Sequence, residues 1–249
     1  MKQTVFITVL LVVALAVSYS IFYFIMGAPN DAYGMEFIYK GGPLVGLLMT
    51  LSIMVITFIF ERIFSLRKAN GKGPITLFLR NVEKSLVEGK VDAAIEACNK
   101  QRGSCANIIR TGLERYKQVS AESKAAGEKQ MAEVQRGIEE AMMLETPLLE
   151  KNLIALSTIA SIATMVGLLG TVIGMIRAFR ALAHQGAPDA IQLSIGISEA
   201  LINTAGGLFA AITAIVAYNF FVNKVDNFTY MIDEASYNVI QILSERGGK

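Results

Sequence analysis

Four apolar blocks, each long enough to cross a bilayer, limit what this chain can become. The first, Val5 to Met26, holds 22 residues without a charge. A membrane-crossing helix needs about 20 apolar residues. In a bilayer the backbone must satisfy its own hydrogen bonds, so such blocks fold as helices. The expected fold is therefore all-α: a polytopic membrane protein with long helices extending into a cytoplasmic helical bundle.

The blocks divide the 249 residues. Residues 1–26 form a first span or a signal-like segment. The block exceeds the 7–15 apolar residues of a signal core, which favours a retained span, although Ser18-Tyr19-Ser20 and Gly27-Ala28 resemble weak cleavage sites. Residues 27–43 read as a polar periplasmic loop with Pro29, Asp31, Glu36 and Lys40, and 44–61 as a second span. Residues 62–152 read as a cytoplasmic helical region, 153–180 as a third span, 181–194 as a periplasmic loop, 195–222 as a fourth span, and 223–249 as a cytoplasmic extension. Region 62–152 carries 16 of the 23 Lys and Arg residues. Basic residues accumulate on the cytoplasmic side. Arg177 and Arg180, at the outer end of the third span, depart locally from that pattern.

Within 62–152, Pro74 suits a helix start. Ile75, Phe78, Leu79, Val82 and Leu86 recur at helical spacing before Gly89. Shorter helices are predicted over Asp92–Asn99 and Ala106–Lys117. A long amphipathic helix is predicted from Ala121 toward the membrane, with Pro147 as a kink. Beyond the fourth span, Phe221, Val225, Phe228, Ile232, Ala235, Val239 and Ile242 follow a 4-3 heptad seam, which predicts packing against other helices.

Composition removes several functions. A net charge of +2 gives no basis for nucleic-acid binding. Cys98 and Cys105, separated by six residues, match no zinc spacing and read as reduced cytosolic thiols. The single histidine, His184, rules out a histidine triad elsewhere. No catalytic residue, metal site or cofactor is expected.

The last two spans carry matched faces. Ala160, Thr164, Gly167, Thr171, Gly174 and Ala178 lie three or four residues apart on one helix, and Gly196, Ala200, Asn203, Thr204, Gly207, Ala211 and Ala214 on the next. Small residues let membrane helices approach closely, and Thr or Asn bond across the gap. Gly167, Gly170, Gly174 and Gly207 are the expected packing positions. At 1.5 Å per residue, Thr171 and Thr204 lie roughly 12–13 Å from the outer ends of their spans, at one level. Glu199 lies roughly 6 Å in, where the N-terminal end of its helix dipole would relieve its charge. A carboxylate inside a span usually faces a cavity or a partner, and a structural anchor at the interface and an ion-path role both stay open. Glu199 is the only acid well inside these spans, so a proton carrier would have to come from another subunit.

The run Val166-Gly167-Leu168-Leu169-Gly170-Thr171-Val172-Ile173-Gly174, followed by Gly196-Ile197-Ser198-Glu199-Ala200-Leu201 and Thr204-Ala205-Gly206-Gly207-Leu208, resembles the ExbB/TolQ/MotA proton-channel family, closest to its ExbB branch. The resemblance is strong over 150–245. It implies a bacterial inner-membrane protein assembled as a pentameric ring of self copies. The ring would surround an ExbD/TolR-like single-span partner with a membrane aspartate and energise a TonB-like protein. Thr171, Thr204, Glu199 and Asn203 would line the ion pathway. A TolQ-type role in envelope integrity, a flagellar stator, and a structural scaffold are the competing readings. Where relatives often carry prolines, this chain has Thr164 and Thr213. Threonine bonds back to the preceding turn and bends a helix less than proline.

Overall fold

The computed structural model describes residues 2–27, 36–122, 127–183 and 189–247. The expectations attached to Pro29, Asp31, His184, Gly186 and Pro188 lie outside them. Among the described residues the fold is all-helical, without strands. The helices are α1 (Lys2–Ser20, continued as a π-helix over Ile21–Met26), α2 (Glu36–Tyr39), α3 (Pro43–Asn70), α4 (Ile75–Val87), α5 (Val91–Gln101), α6 (Ser104–Glu122), α7 (Gly127–Glu150), α8 (Leu153–Leu182) and α9 (Ala190–Gly247). Four helices are long and apolar enough to cross a membrane. The chain divides into two compact units. Unit 1 is Met1–Phe60 with Asn152–Phe220, and unit 2 is Glu61–Lys151 with Phe221–Lys249.

In unit 1, α1 sits on α3 through polar groups. The Ser18 hydroxyl is buried, lies 2.9 Å from the Gly46 carbonyl, and shares a hydrogen bond of 2.6 Å with Thr50 Oγ1. The Tyr19 hydroxyl donates to the Pro43 carbonyl at 3.2 Å. Gly46 makes room for the Tyr19 ring, which a Cβ would approach to 3.0 Å. Bonds of this kind hold membrane helices together where lipid offers no hydrophobic contrast. The stretch read as a loop over 27–43 contains α2, whose Tyr39 ring lies 4.9 Å from Phe22.

Thr164 and Thr213 do what the sequence implies. Thr164 Oγ1 donates to Ala160 O at 3.1 Å, and Thr213 Oγ1 to Phe209 O at 2.8 Å. Both helices run unbroken through these positions.

In unit 2, α4 buries Phe78, Val82 and Leu86. Its N-cap position is Pro74, and Gly89 takes φ +81 just after its end. Helix α6 reaches Glu122, so Ala121 closes it and does not begin the next helix. Helix α7 runs through Pro147 to Glu150. The break between α7 and α8 falls at Asn152, in the left-handed region at φ +64, which asparagine tolerates better than most residues. Arg62, 0% exposed, ties the start of this unit to its far wall. It pairs with Glu61 at 2.8 Å and donates to the Leu149 carbonyl at 3.0 Å.

The C-terminal seam buries Phe221, Val225, Phe228, Ile232, Ala235 and Val239, but its last buried position is Leu243, where Ile242 was expected. A straight helix drifts by about 20° per heptad against a 3.5-residue repeat, which passes the contact to the next residue after three heptads. From this stretch Asn238 donates to Glu83 of α4 at 3.2 Å. Cys98 and Cys105 are free and buried. Burial pushes each thiol up to about 12, with the neighbouring Cys105 adding to the effect on Cys98, so both stay protonated at neutral pH.

Arg102, between α5 and α6, has φ +58 and ψ 178, a backbone region nearly reserved for glycine. Strain there costs about 1–3 kcal/mol. Arg102→Gly should therefore stabilise the protein by about 1 kcal/mol after glycine's extra unfolded-state entropy is subtracted. A melting curve of the purified protein, followed by circular dichroism, reads this as a rise of a few degrees. An unchanged or lower midpoint would show that the surroundings already relieve the strain.

Candidate functional site

Helices α8 and α9 meet through their small faces. Residues Ala160, Ala163, Gly167, Gly170, Gly174 and Ala178 of α8 are buried. Against them lie Gly196, Ala200, Asn203 and Gly207, and Ala211 and Ala214 are buried further along α9. The approach is backbone to backbone. A Cβ on Gly207 would lie 2.7 Å from the Ala163 carbonyl oxygen and from Gly167 Cα, and a Cβ on Gly174 would lie 2.6 Å from the Ala200 nitrogen. Gly170 accommodates the Asn203 side chain. Glycine is required because no rotamer change could clear those backbone atoms.

At this contact the Thr171 and Thr204 hydroxyls are hydrogen-bonded to each other. Each also lies near a carbonyl one turn back in its own helix, Thr171 to Gly167 O at 3.2 Å and Thr204 to Ala200 O at 3.1 Å. Two hydroxyls carry two protons for these three positions, so the pair can rearrange its donors without losing every bond. It forms a polar, uncharged spot in an apolar helix pair.

Glu199 and Asn203 serve a different geometry. The Glu199 side chain is 3% exposed, and Arg177 Nη1 contacts both its oxygens, at 2.7 and 2.6 Å. Gly42, at φ +77, leaves room for the carboxylate, which an added Cβ would approach to 2.6 Å. Asn203, fully buried, donates from Nδ2 to Gly41 O at 2.8 Å and to Glu199 O at 2.9 Å, while its Oδ1 is buried without a partner. With two carbonyls facing Nδ2, a flipped amide would set oxygen against oxygen, so this orientation is fixed. No hydrogen bond joins the Glu199 carboxylate to either threonine.

The source of relief for Glu199 differs from the expectation. Helix α9 begins at Ala190, so Glu199 is its tenth residue, beyond the first turn where the dipole acts. Asp189 holds the terminal position instead, its Oδ1 accepting from Ile191 N and Gln192 N, both at 3.0 Å. Arg177 neutralises Glu199. Arg177 is one of the two residues, with Arg180, that broke the positive-inside pattern, a departure that by itself names no partner. Arg177, Arg180, Asp189, Gln192 and Glu199 line an open cleft of about 410 Å³, together with Ala181, Ile195 and Gly196. Among the described residues no group of three His, Cys, Asp or Glu is placed to hold a metal ion.

Long apolar helices whose last pair meets through glycine around a hydroxyl couple define a multi-pass membrane protein with a polar seam. The chain belongs to the MotA/TolQ/ExbB proton channel family, which matches residues 100–234. It is 39% identical over 114 residues to the Tol-Pal system protein TolQ of Pseudomonas aeruginosa, covering 46% of this chain and 49% of that protein. It is 39% identical over 89 residues to the biopolymer transport protein ExbB of Pseudomonas putida, covering 36% and 27%. A longer match, 30% over 199 residues, covers 74% of this chain and 68% of the putative biopolymer transport protein ExbB-like 1 of Synechocystis sp.. The chain thus spans about half the length of the TolQ relative and less of the ExbB from Pseudomonas putida.

Proposed function

We propose that this chain is the ring subunit of a proton-driven motor in the bacterial inner membrane. Several copies, five by resemblance, enclose an ExbD/TolR-like single-span partner whose membrane aspartate carries the proton, and the motor energises a TonB-like protein for outer-membrane transport. The observation that carries this reading is the Thr171–Thr204 hydroxyl pair within a chain of the proton channel family. Hydroxyls can steer a proton but do not hold its charge at neutral pH, which suits a wall facing a partner's carboxylate. Thr171 and Thr204 form that wall, Asn203 stands behind it, buried and bonded to the Gly41 carbonyl, and Glu199 stands above it. The bonds from Ser18 to α3 support α1 as a retained first span. A TolQ-type role in envelope integrity is the second reading, favoured by the TolQ of Pseudomonas aeruginosa, which is as similar, at 39% identity, as the ExbB of Pseudomonas putida.

Thr171→Val and Thr204→Val keep side-chain shape and remove the hydroxyls. An interhelical bond of this kind is worth about 1–2 kcal/mol, too little to prevent assembly, so each variant should express and assemble normally while losing most of its proton-driven uptake. Unchanged uptake would leave the chain a scaffold. Mild-detergent purification with mass spectrometry should recover a small single-span protein with one membrane aspartate, and a stable monomer without one would end the motor reading. Deletion separates the two roles, since loss of energised uptake marks the ExbB type and detergent sensitivity the TolQ type.

A further inference from the structure

A cleft of about 620 Å³ opens in unit 2 between the end of α3, the α5–α6 turn and the end of α7. That volume suits a small ligand. Lys68, Lys72, Arg102 and Lys151 line it, with Glu61 and Glu145 as its acids. Glu61 is taken by Arg62, whose Nε and Nη2 each reach a carboxylate oxygen at 2.8 Å. Glu145 accepts from the Asn107 amide at 3.0 Å. With the Glu61–Arg62 pair neutral, four cations against Glu145 leave a local charge of about +3. Among the described residues none of the four has an ion-pair partner. Gly103 and Ser104 on the cleft wall lead into the first turn of α6, whose backbone N–H groups favour an anion.

The same cleft is lined by Leu148, 56% exposed, and Leu149. One turn back on α7, Leu144 is 74% exposed. In the chain, Glu61 directly follows the apolar run that ends at Phe60, and Lys151 stands two residues before α8. Cations beside exposed leucines, next in sequence to membrane-crossing helices, suit a ligand with a negative head and an apolar tail. We infer that this cleft binds a phosphate group, supplied by the headgroup of an anionic phospholipid. This inference does not depend on ion conduction.

The test is thermal unfolding of the full-length protein in mild detergent, titrated with phosphatidylglycerol, phosphatidylcholine or inorganic phosphate. Phosphatidylglycerol should raise the midpoint by about 5 °C near saturation, and phosphatidylcholine should not. The double variant Lys68→Gln/Lys72→Gln removes two exposed, unpaired charges. It should melt like the parent without lipid and need about tenfold more phosphatidylglycerol for half its shift. Arg102→Gly separates binding from folding, because its lipid-free midpoint should rise while its lipid-induced increment shrinks. A matching shift with inorganic phosphate alone would support the phosphate site and name a soluble source. An equal response to both lipids, or an undiminished shift in the double variant, would overturn the proposal and leave the charges to an acidic protein segment.

Discussion

Gly207→Leu should take the α8–α9 pair apart, while a change at the adjacent glycine should pass almost unnoticed. A Cβ at Gly207 would meet backbone on two sides, the Ala163 carbonyl oxygen and Gly167 Cα, both at 2.7 Å. Backbone atoms cannot rotate away, so the helices must separate and their packing contacts are lost along the face. Overpacking typically costs 1–3 kcal/mol, and a leucine against two backbones belongs at or above the top of that range, about 3 kcal/mol. At Gly206 an added Cβ would lie 3.3 Å from Leu48 Cδ1, the end of a flexible side chain. Gly206→Ala also gains about 1 kcal/mol of helix propensity, which offsets the crowding. Size-exclusion profiles and melting midpoints in one detergent compare the two. Equal behaviour of both variants would mean that the two helices do not meet at Gly207.

The second large effect concerns Arg177 and Glu199, and it is asymmetric. Arg177→Ala leaves a carboxylate that is 3% exposed without its cation, whereas Glu199→Gln leaves a half-exposed arginine that can turn to water. Breaking a buried pair costs about 3–5 kcal/mol. Because the guanidinium is 53% exposed, we expect about 2–4 kcal/mol for Arg177→Ala and less for Glu199→Gln. The double variant Arg177→Ala/Glu199→Gln should recover most of the loss, since it removes both charges together. A double-mutant cycle on melting midpoints reads this directly. Coupling near zero would assign Glu199 to the ion path and not to the pair.

These two effects also separate what was legible in the sequence from what was not. The small faces of α8 and α9 could be read because packing at 3.6 residues per turn writes itself into local spacing. The level of Thr171 and Thr204 followed from counting along that spacing. The partner of Glu199 was not legible. Arg177 lies 22 positions away across a loop, and nothing local distinguishes an arginine that snorkels to the interface from one that turns inward. The fourth span was read from residue 195 because hydropathy marks where apolar residues begin, whereas the helix that carries it begins at Ala190, where Asp189 caps it. The end of α6 was misread for a similar reason: no breaker stands between Lys117 and Glu122. The tie from Asn203 to Gly41 left no trace in either segment.

That last bond sets a timetable. Gly41 and Asn203 are 162 residues apart. Chains grow at about 5–20 residues per second during synthesis, so the Gly41 carbonyl waits roughly 10–30 s for its partner to be made. During that interval the turn ahead of α3 lacks this bond, and every copy passes through a stage in which the first half of unit 1 is held by its own contacts alone. The last membrane helix is therefore a clasp as well as a wall, and a chain interrupted before residue 203 never closes it.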